Sequence, residues 1–342
     1  MPRSSKAMTK LEQATTAYLK NLEATGASPT TIANYSIRLN VFIQFLWDND
    51  YTLEDPKFST IQAWRDSLIA DGKKLSTVSQ YLMELRMFFR WASDPEMGDC
   101  RYYESNPCAK SLLPKLTAAL KRPYDTILTD EQVMKLWNSA PVKSNGRTPS
   151  RWARNYAMTV VFLTTDIRNQ ELIDLTPDDL DFENAEITIQ HGKGNKYRVV
   201  PFPPLAQTAV KLYLASGYRP DDVPSNECLF GSHGSSKCVC HWRKLQRQSL
   251  YYIIRDHVEC VTGVPNVGTH DLRHVGARID LNSGISLEEL QAKLGHESMN
   301  TTQLYSGKLL PKRGRNSAKR VIEEQEIQAR RNAEKLERMG VR

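Results

Sequence analysis

The spacing of apolar residues constrains the fold of this chain most strongly. From Lys10 to Asp94, apolar residues return every three or four positions, as in Ile32, Tyr35 and Leu39. This is the spacing of helices with one buried face. The first part of the chain is therefore predicted to be all-helical, with main helices near residues 10–25, 29–48, 59–71 and 75–93 and a short fifth helix near 108–120.

The pattern changes after Lys121–Asp125, a charged stretch with a proline that we interpret as a linker between two compact units. Residues 185–189 and 197–200 flank the turn Gly192–Asn195, which predicts an antiparallel hairpin. The fold class is therefore mainly α: an all-helical N-terminal domain and a mixed α/β domain with a small antiparallel sheet. In this second domain we expect a helix start at residue 129 and helices near 152–164, 204–216, 239–259, 270–283 and 286–294.

The charge of the chain favours a polyanionic partner. Its 46 Lys and Arg against 39 Asp and Glu give a net charge of +7. The segment after Tyr305 holds 11 Lys and Arg against 5 Asp and Glu, so most of the excess lies there. No apolar run suits a membrane span or a signal peptide, and we expect a cytoplasmic protein without membrane contact.

The cysteines are expected to be reduced thiols, because all six lie in a long chain of intracellular character. Cys238, Cys240 and His241, with His233 nearby, form a candidate zinc site. Their spacing lacks the paired C-x-x-C of common structural zinc sites. We therefore expect neither a metal nor a disulfide framework.

Five motifs follow one another in the second domain, and all carry groups suited to phosphate chemistry. They contain Arg168 with Glu171, the hairpin Lys193 with Lys196, His270-x-x-Arg273, Leu294-Gly295-His296, and Thr301-Thr302-Gln303-Leu304-Tyr305. This order of Arg, Lys, His-x-x-Arg, His and Tyr resembles the tyrosine recombinase (phage integrase) family. The family often has glycine where this chain has Thr165 or Asp166.

The resemblance implies a domain organisation and a reaction. The helical N-terminal part is similar to the core-binding (SAM-like) domain of that family. We expect a tail at 1–9, this core-binding domain at 10–120, a linker at 121–127, the catalytic domain at 128–306 and a basic tail at 307–342, with no additional arm-binding domain. The implied activity is site-specific recombination, in which DNA is cut and rejoined through a 3′-phosphotyrosine without a cofactor.

The chemistry of this reaction assigns a role to each motif. Attack on a phosphodiester adds negative charge to the non-bridging oxygens, and guanidinium groups can stabilise that charge. Tyr305 is the predicted nucleophile, and His270 is its general base. The remaining expected roles are stabilisation of the phosphate by Arg168, Arg273 and His296, general acid catalysis by Lys193 with Lys196 as the alternative, and orientation of neighbouring groups by Glu171.

The resemblance also implies a DNA partner and an assembly. We expect double-stranded DNA with a short core site of inverted repeats, bound by a homotetramer on two duplexes. Four residues of the helix near 75–93 are candidates for reading bases: Ser76, Ser79, Gln80 and Arg86. A helix from Ala318 to Met339, with Ile322, Ile327 and Leu336 as apolar points, is expected either to dock on a neighbouring protomer or to form a basic tail.

Two alternative functions use part of the same chemistry. A type IB topoisomerase would cut DNA in the same way without exchanging partners, and an inactive protein would bind DNA without cutting it. Tyr251 and Tyr252 are alternative nucleophiles, but they lie in a predicted helix without motif context, and we expect them to serve packing.

Overall fold

The computed structural model describes residues 8–94, 96, 101–114, 127–141, 150–190, 197–233, 242–295 and 314–341. The chain divides into two compact units, residues 1–120 and 121–342. Both units are mainly helical, and the second contains a small antiparallel sheet, as the periodicity predicts. Within the described ranges, no helix is long and apolar enough to cross a membrane.

The described residues of the first unit form four long helices. They are α1 (Lys10–Ala24), α2 (Pro29–Asp48), α3 (Phe58–Ala70) and α4 (Leu75–Ser93), and a 3-10 turn follows at Lys110–Leu112. The chemistry of their caps explains where they begin: the Glu12 carboxylate accepts a hydrogen bond from the Thr9 main chain, and Ser28 caps α2 with Pro29 in its first turn. Aromatic residues fill the core, in which the rings of Phe42 and Trp64 lie 4.8 Å apart.

Two of the four residues predicted to read bases on α4 contribute to the fold of the first unit. Ser79 is only 7% exposed, because it lies on the buried face of α4. The Arg86 guanidinium donates a hydrogen bond to the Cys108 carbonyl, which ties α4 to the following loop. Base reading by these four residues stays a prediction, and Ser76 and Gln80 lie on the exposed face of α4.

The second unit, which we call the catalytic unit, surrounds a core made by the buried helix α6. Its elements are α5 (Asp130–Trp137), α6 (Ser150–Thr165), α7 (Asn169–Asp174), β1 (Leu180–Asp181), β2 (Glu186–Ile189), β3 (Arg198–Pro201), α8 (Pro204–Leu214), β4 (Gly231–His233), β5 (Trp242–Lys244), α9 (Arg247–Thr262), α10 (Thr269–Ser283), α11 (Leu287–Leu294) and α12 (Gly314–Arg338). The predicted hairpin is confirmed: β2 lies between β1 and β3 in an antiparallel sheet, with Ile187 opposite Val200.

The predicted helix at 239–259 is wrong at its start. Trp242–Lys244 pairs with Gly231–His233 as a second antiparallel sheet, and α9 begins only at Arg247. The Trp242 indole donates a 2.9 Å hydrogen bond to the Cys228 carbonyl, which holds β5 in this position. Pairing with β4 therefore overrides the local helical pattern.

The C-terminal helix α12 packs on its own catalytic unit, against α8, α5 and α10. Val321 and Leu336 are buried in this contact, and so is the polar residue Asn332, whose amide donates to the Tyr156 hydroxyl at 3.2 Å. Ile327, one of the three apolar points singled out in the sequence, is 41% exposed and lies outside this contact. The helix is thus held by polar as well as apolar contacts.

Candidate active site

Arg168 lies in a sharp turn between α6 and α7. Helix α6 ends at Thr165, and Asp166 then adopts a positive φ of 54° before Arg168 starts α7 in an extended conformation. The buried Glu171 carboxylate accepts hydrogen bonds from the Arg168 main-chain N–H at 2.7 Å and from its guanidinium at 2.9 Å. This turn fixes the direction of the Arg168 side chain, which remains 21% exposed.

The end of α11 brings Arg168 and Arg273 together. Arg168 Nη2 donates to the Gly295 carbonyl at 2.7 Å, and Arg273 Nη2 donates to the neighbouring Leu294 carbonyl at 2.6 Å. Arg273 Nη1 also donates to the Asp166 carbonyl. Two predicted catalytic arginines from separate motifs therefore meet at the turn that immediately precedes His296.

Gly295 allows this close approach. Its φ is +61°, a left-handed conformation that favours glycine. A Cβ atom here would lie 3.2 Å from Arg198 Nε and 3.3 Å from Arg168 Nη1. The glycine is thus required both by its backbone conformation and by the guanidinium groups that cover it.

Arg198 is a site residue that the sequence did not reveal. From strand β3, it donates two hydrogen bonds of 2.7 Å to the two carboxylate oxygens of Glu171. Burial alone would raise the pKa of Glu171, but the bonds from Arg198 and Arg168 lower it to about 2. Glu171 is therefore an anion at neutral pH and binds two guanidinium groups.

His270 stands in the first turn of α10, beside the arginines. Burial lowers the pKa of its imidazole, and the positive charges of Arg273 and Arg168 lower it further. Burial also lowers the pKa of His274 to about 4, with a smaller contribution from Arg273 and in part offset by Asp271. His270 is thus uncharged near neutral pH, in the form that accepts a proton.

The remaining predicted site residues lie outside the described residues: Lys193, Lys196, His296 and Tyr305. Among the described residues, no group of His, Cys, Asp and Glu has the arrangement of a metal site. Cys238, Cys240 and His241 are not among them, while the His233 imidazole contacts the Tyr218 carbonyl at 2.9 Å. Tyr251 and Tyr252 are 36% and 42% exposed on α9, so the expectation that they are packing residues is only partly met.

The described arrangement suits an anionic substrate. Two fixed guanidinium groups can donate to the oxygens of a phosphate and can stabilise additional charge on them. The neutral imidazole of His270 can accept a proton from a nearby nucleophile. The site thus combines stabilisation of negative charge with acid–base chemistry.

Comparison with known proteins assigns both units. The model of the Phage integrase family matches residues 127–309, and that of the Phage integrase, N-terminal SAM-like domain matches residues 15–95. Tyrosine recombinase XerC from Oceanobacillus iheyensis is 30% identical over 285 residues, which cover 82% of this chain and 86% of the relative. Tyrosine recombinase XerD from Halalkalibacterium halodurans is 29% identical over 284 residues, covering 82% and 88%.

Solved structures share the fold. The crystal structure of XerH site-specific recombinase bound to its palindromic difH substrate has a TM-score of 0.62 and 23% identity, and the match covers 86% of this chain and 81% of that chain. A lambda integrase dimer bound to a COC′ core site has a TM-score of 0.61 and 18% identity, with 86% and 76% covered. At these identities the likeness concerns the fold.

Proposed function

This chain belongs to the phage integrase family and is a site-specific DNA recombinase, and from that premise we propose that Tyr305 cuts one DNA strand to form a 3′-phosphotyrosine. The observation that carries the proposal is the meeting of Arg168 and Arg273 at the carbonyls of Gly295 and Leu294. Two fixed guanidinium groups next to the His296 motif form a receptor for one phosphate.

In the first step, the Tyr305 oxygen forms a bond to phosphorus while the bond from phosphorus to the 5′ oxygen breaks. His270 takes the phenolic proton, because its lowered pKa keeps the imidazole uncharged near neutral pH. Lys193, with Lys196 as the alternative, gives a proton to the departing 5′ oxygen.

During the attack the two non-bridging oxygens gain negative charge. Arg168 and Arg273 bind them, and His296 adds a hydrogen bond. Glu171 and Arg198 touch neither the phosphate nor the nucleophile in this scheme. They hold Arg168 through the hydrogen bonds at Glu171.

The second step reverses the first on a new partner. A 5′ hydroxyl from the other duplex attacks the phosphotyrosine, the new phosphodiester forms, and Tyr305 leaves as a phenol. The bond energy is kept in the covalent intermediate, so the exchange needs no nucleotide cofactor. Because one site cuts one strand, complete recombination requires four protomers, and we propose a homotetramer on two duplexes with short inverted-repeat core sites.

Each part of the chain has a place in this proposal. Residues 10–120 form the core-binding domain, 121–127 the linker and 128–306 the catalytic domain, with the basic segment 307–342 after it. Ser76 and Gln80 remain candidates for base contacts on the exposed face of α4. A protein that recombines bacterial or plasmid DNA would work in the cytoplasm.

The test uses DNA that the full-length protein selects from a random pool. A plasmid with two copies of the selected site should give recombinant products, whereas relaxation of supercoiled plasmid without recombinants would favour a topoisomerase. On a nicked suicide duplex, Arg168→Ala and Arg273→Ala should lower adduct formation by about 10²- to 10³-fold. Normal adduct yields in both variants would refute the proposed phosphate receptor.

Arg219→Ala is a matched control for the arginine variants. Arg219 is another buried arginine of the catalytic unit, and its guanidinium donates to the Val223 and Pro224 carbonyls of a loop. Its loss should lower stability without lowering the adduct yield per folded molecule. An equal loss of adduct in Arg219→Ala would show that the effect of the other two variants is not specific to the site.

A further inference from the structure

A cluster of buried charges lies directly behind the two arginines. Lys293 Nζ is 2.5 Å from Asp280 Oδ2 and 3.3 Å from Asp166 Oδ2. The Asp166 side chain is fully buried, and the side chains of Lys293 and Asp280 are 10% and 18% exposed. Three ionisable groups from three segments, the turn after α6, helix α10 and helix α11, thus meet in the interior. We call them the Asp166 cluster.

Asp166 is an unusual residue for this position. Its positive φ is a conformation that non-glycine residues adopt rarely, although aspartate tolerates it better than most. The family resemblance left Thr165 or Asp166 as the departure from glycine, and the positive φ identifies Asp166. An ionisable side chain therefore stands at a turn that glycine would form with less strain.

Helix α10 leaves room for the added carboxylate. At Gly276, a Cβ atom would lie 2.1 Å from Asp166 Oδ1 and 2.8 Å from the Leu163 carbonyl oxygen. Any side chain at residue 276 would thus displace the Asp166 carboxylate or the backbone. The backbone of α10 and the turn after α6 are fitted to each other around this charge.

The charges in the cluster support one another. Burial by itself would lower the pKa of the Lys293 ammonium, but the two facing carboxylates raise it above its usual value. Lys293 is therefore charged at neutral pH. Burial raises the pKa of Asp166 well above its usual value; the Lys293 charge opposes this effect, and the neighbouring Asp280 carboxyl adds to it. Removal of the ammonium would leave both carboxyl groups buried without their cation.

The cluster connects the two segments that hold Arg273. The guanidinium donates to the Asp166 carbonyl and to the Leu294 carbonyl. Lys293, whose side chain pairs with that of Asp166, immediately precedes Leu294 in the chain. The third member, Asp280, lies two turns after Arg273 on the same helix, so the pairing with Lys293 also ties α10 to α11.

We propose that Asp166, Lys293 and Asp280 are positioning residues that fix the Arg273 guanidinium toward the scissile phosphate. They act through Arg273 and do not touch the substrate themselves. The inference rests on the proposed function, since it takes Arg273 as a group that stabilises the phosphate. A guanidinium that is displaced by about 1 Å loses up to roughly 100-fold of its contribution to the rate.

Two variants each remove one ionisable group from the cluster. Asp166→Asn keeps the size and the tolerance of positive φ, and it leaves Lys293 paired with Asp280, so this variant should fold. Lys293→Met keeps the length of the stem and removes the charge. Asp130→Asn is the control, because Asp130 forms a similarly buried ion pair with Arg278 of the same helix α10, at 3.0 Å.

The measurement compares two nicked suicide duplexes that carry the selected site. One has a normal scissile phosphodiester, and the other has a methylphosphonate, in which a methyl group replaces one charged oxygen. Because the methylphosphonate has one charged oxygen fewer, its cleavage rate depends less on the position of the guanidinium. Single-turnover cleavage rates per folded molecule are measured for each variant on both duplexes, together with Arg273→Ala.

We expect Asp166→Asn and Lys293→Met to slow cleavage of the phosphodiester by about 10- to 100-fold. Their loss on the methylphosphonate should be much smaller, and Asp130→Asn should change both rates by the same factor. Lys293→Met in the Arg273→Ala background should cause little further loss, because the group that it positions is already absent.

Two results would overturn the inference while the proposed function stands. In one, Asp166→Asn cleaves the phosphodiester at the normal rate while Arg273→Ala does not. In the other, the Asp166→Asn loss is equal on both duplexes, which would indicate a structural role alone. Normal cleavage by Arg273→Ala itself would instead contradict the role of Arg273 in the proposed function.

Discussion

His257→Leu is expected to make the catalytic unit more stable, and more so in acid. His257 of α9 is 3% exposed, and its ring lies 4.6 Å from that of Trp152 on α6. Within the described part of the chain, neither ring nitrogen has a hydrogen-bond partner. Burial lowers the pKa of His257 to about 4, against about 6.5 in an unfolded chain.

The size of the effect follows from these two pKa values. Because the folded value is the lower one, the unfolded chain takes up its proton first as the pH falls. Titration of His257 therefore costs no stability above about pH 6.5, and the cost grows as the pH falls to about 4. With about 1.4 kcal/mol for each pKa unit, the loss between pH 7 and pH 5 is about 2 kcal/mol.

The assay is urea unfolding of the full-length protein and of His257→Leu at pH 7, 6 and 5, with amide hydrogen exchange in α9 to assign the transition. At pH 7 the variant gains about 1–3 kcal/mol because an unpaired buried polar group is removed, less the ring contact with Trp152. The difference in unfolding free energy should then widen by about 2 kcal/mol at pH 5. His270 and His274 are present in both proteins, so their titration cancels. A difference that is the same at pH 7 and pH 5 would refute the reasoning.

Three further substitutions test the packing and electrostatics of the site. Glu171→Gln should lower the free energy of unfolding by about 3 kcal/mol at pH 7 in urea. Below about pH 4.5 Glu171 takes up a proton in the unfolded chain of the unsubstituted protein, so the difference in stability between the two proteins should narrow. A difference that does not depend on pH would contradict this. Gly276→Ala should lower stability by about 1–3 kcal/mol, because its Cβ would meet Asp166 and the Leu163 carbonyl, and an unchanged Tm would show that this contact relaxes freely. Gly295→Ala should cost about 1 kcal/mol or more through its positive φ and should also lower adduct formation, whereas full adduct yield would show that the guanidinium groups above it are not confined.

Local sequence patterns predicted most of the helices, because helical periodicity and capping act over a few residues. Helices α1 and α2 begin where they were predicted, near residues 10 and 29, and the side chains of Thr9 and Ser28 cap them. The order of the motifs likewise identified Arg168 and Arg273, and the structure brings them together. The start of α9 was predicted wrongly, because the pairing of β5 with β4 is a contact between segments that local periodicity does not report.

The parts of the site that the sequence did not reveal depend on tertiary contacts. Arg198 contacts Glu171, which lies 27 positions away in the chain. Lys293 contacts carboxylates from two other segments. A signal for Arg198 was present: it shares a face of β3 with the buried residue Val200, and an arginine that faces inward from a strand requires an acidic partner. For Lys293 and Asp280 no such local signal exists.

The packing of α12 could not be read from its apolar residues. The sequence singled out Ile327, which is exposed, while the buried face carries the polar pair Gln328 and Asn332. Polar residues of this kind are buried only where a partner satisfies them, and Tyr156 supplies it from α6. Contact of α12 with its own unit leaves docking on a neighbouring protomer as a prediction.

The most direct test of the account identifies the amino acid that becomes attached to DNA. Full-length protein is incubated with a nicked suicide duplex that carries the selected site, the adduct is digested with protease, and the DNA-linked peptide is sequenced by mass spectrometry. The account predicts a 3′ phosphate linked to Tyr305, and no adduct with Tyr305→Phe. Attachment at Tyr251 or Tyr252, or an adduct that persists in Tyr305→Phe, would contradict it.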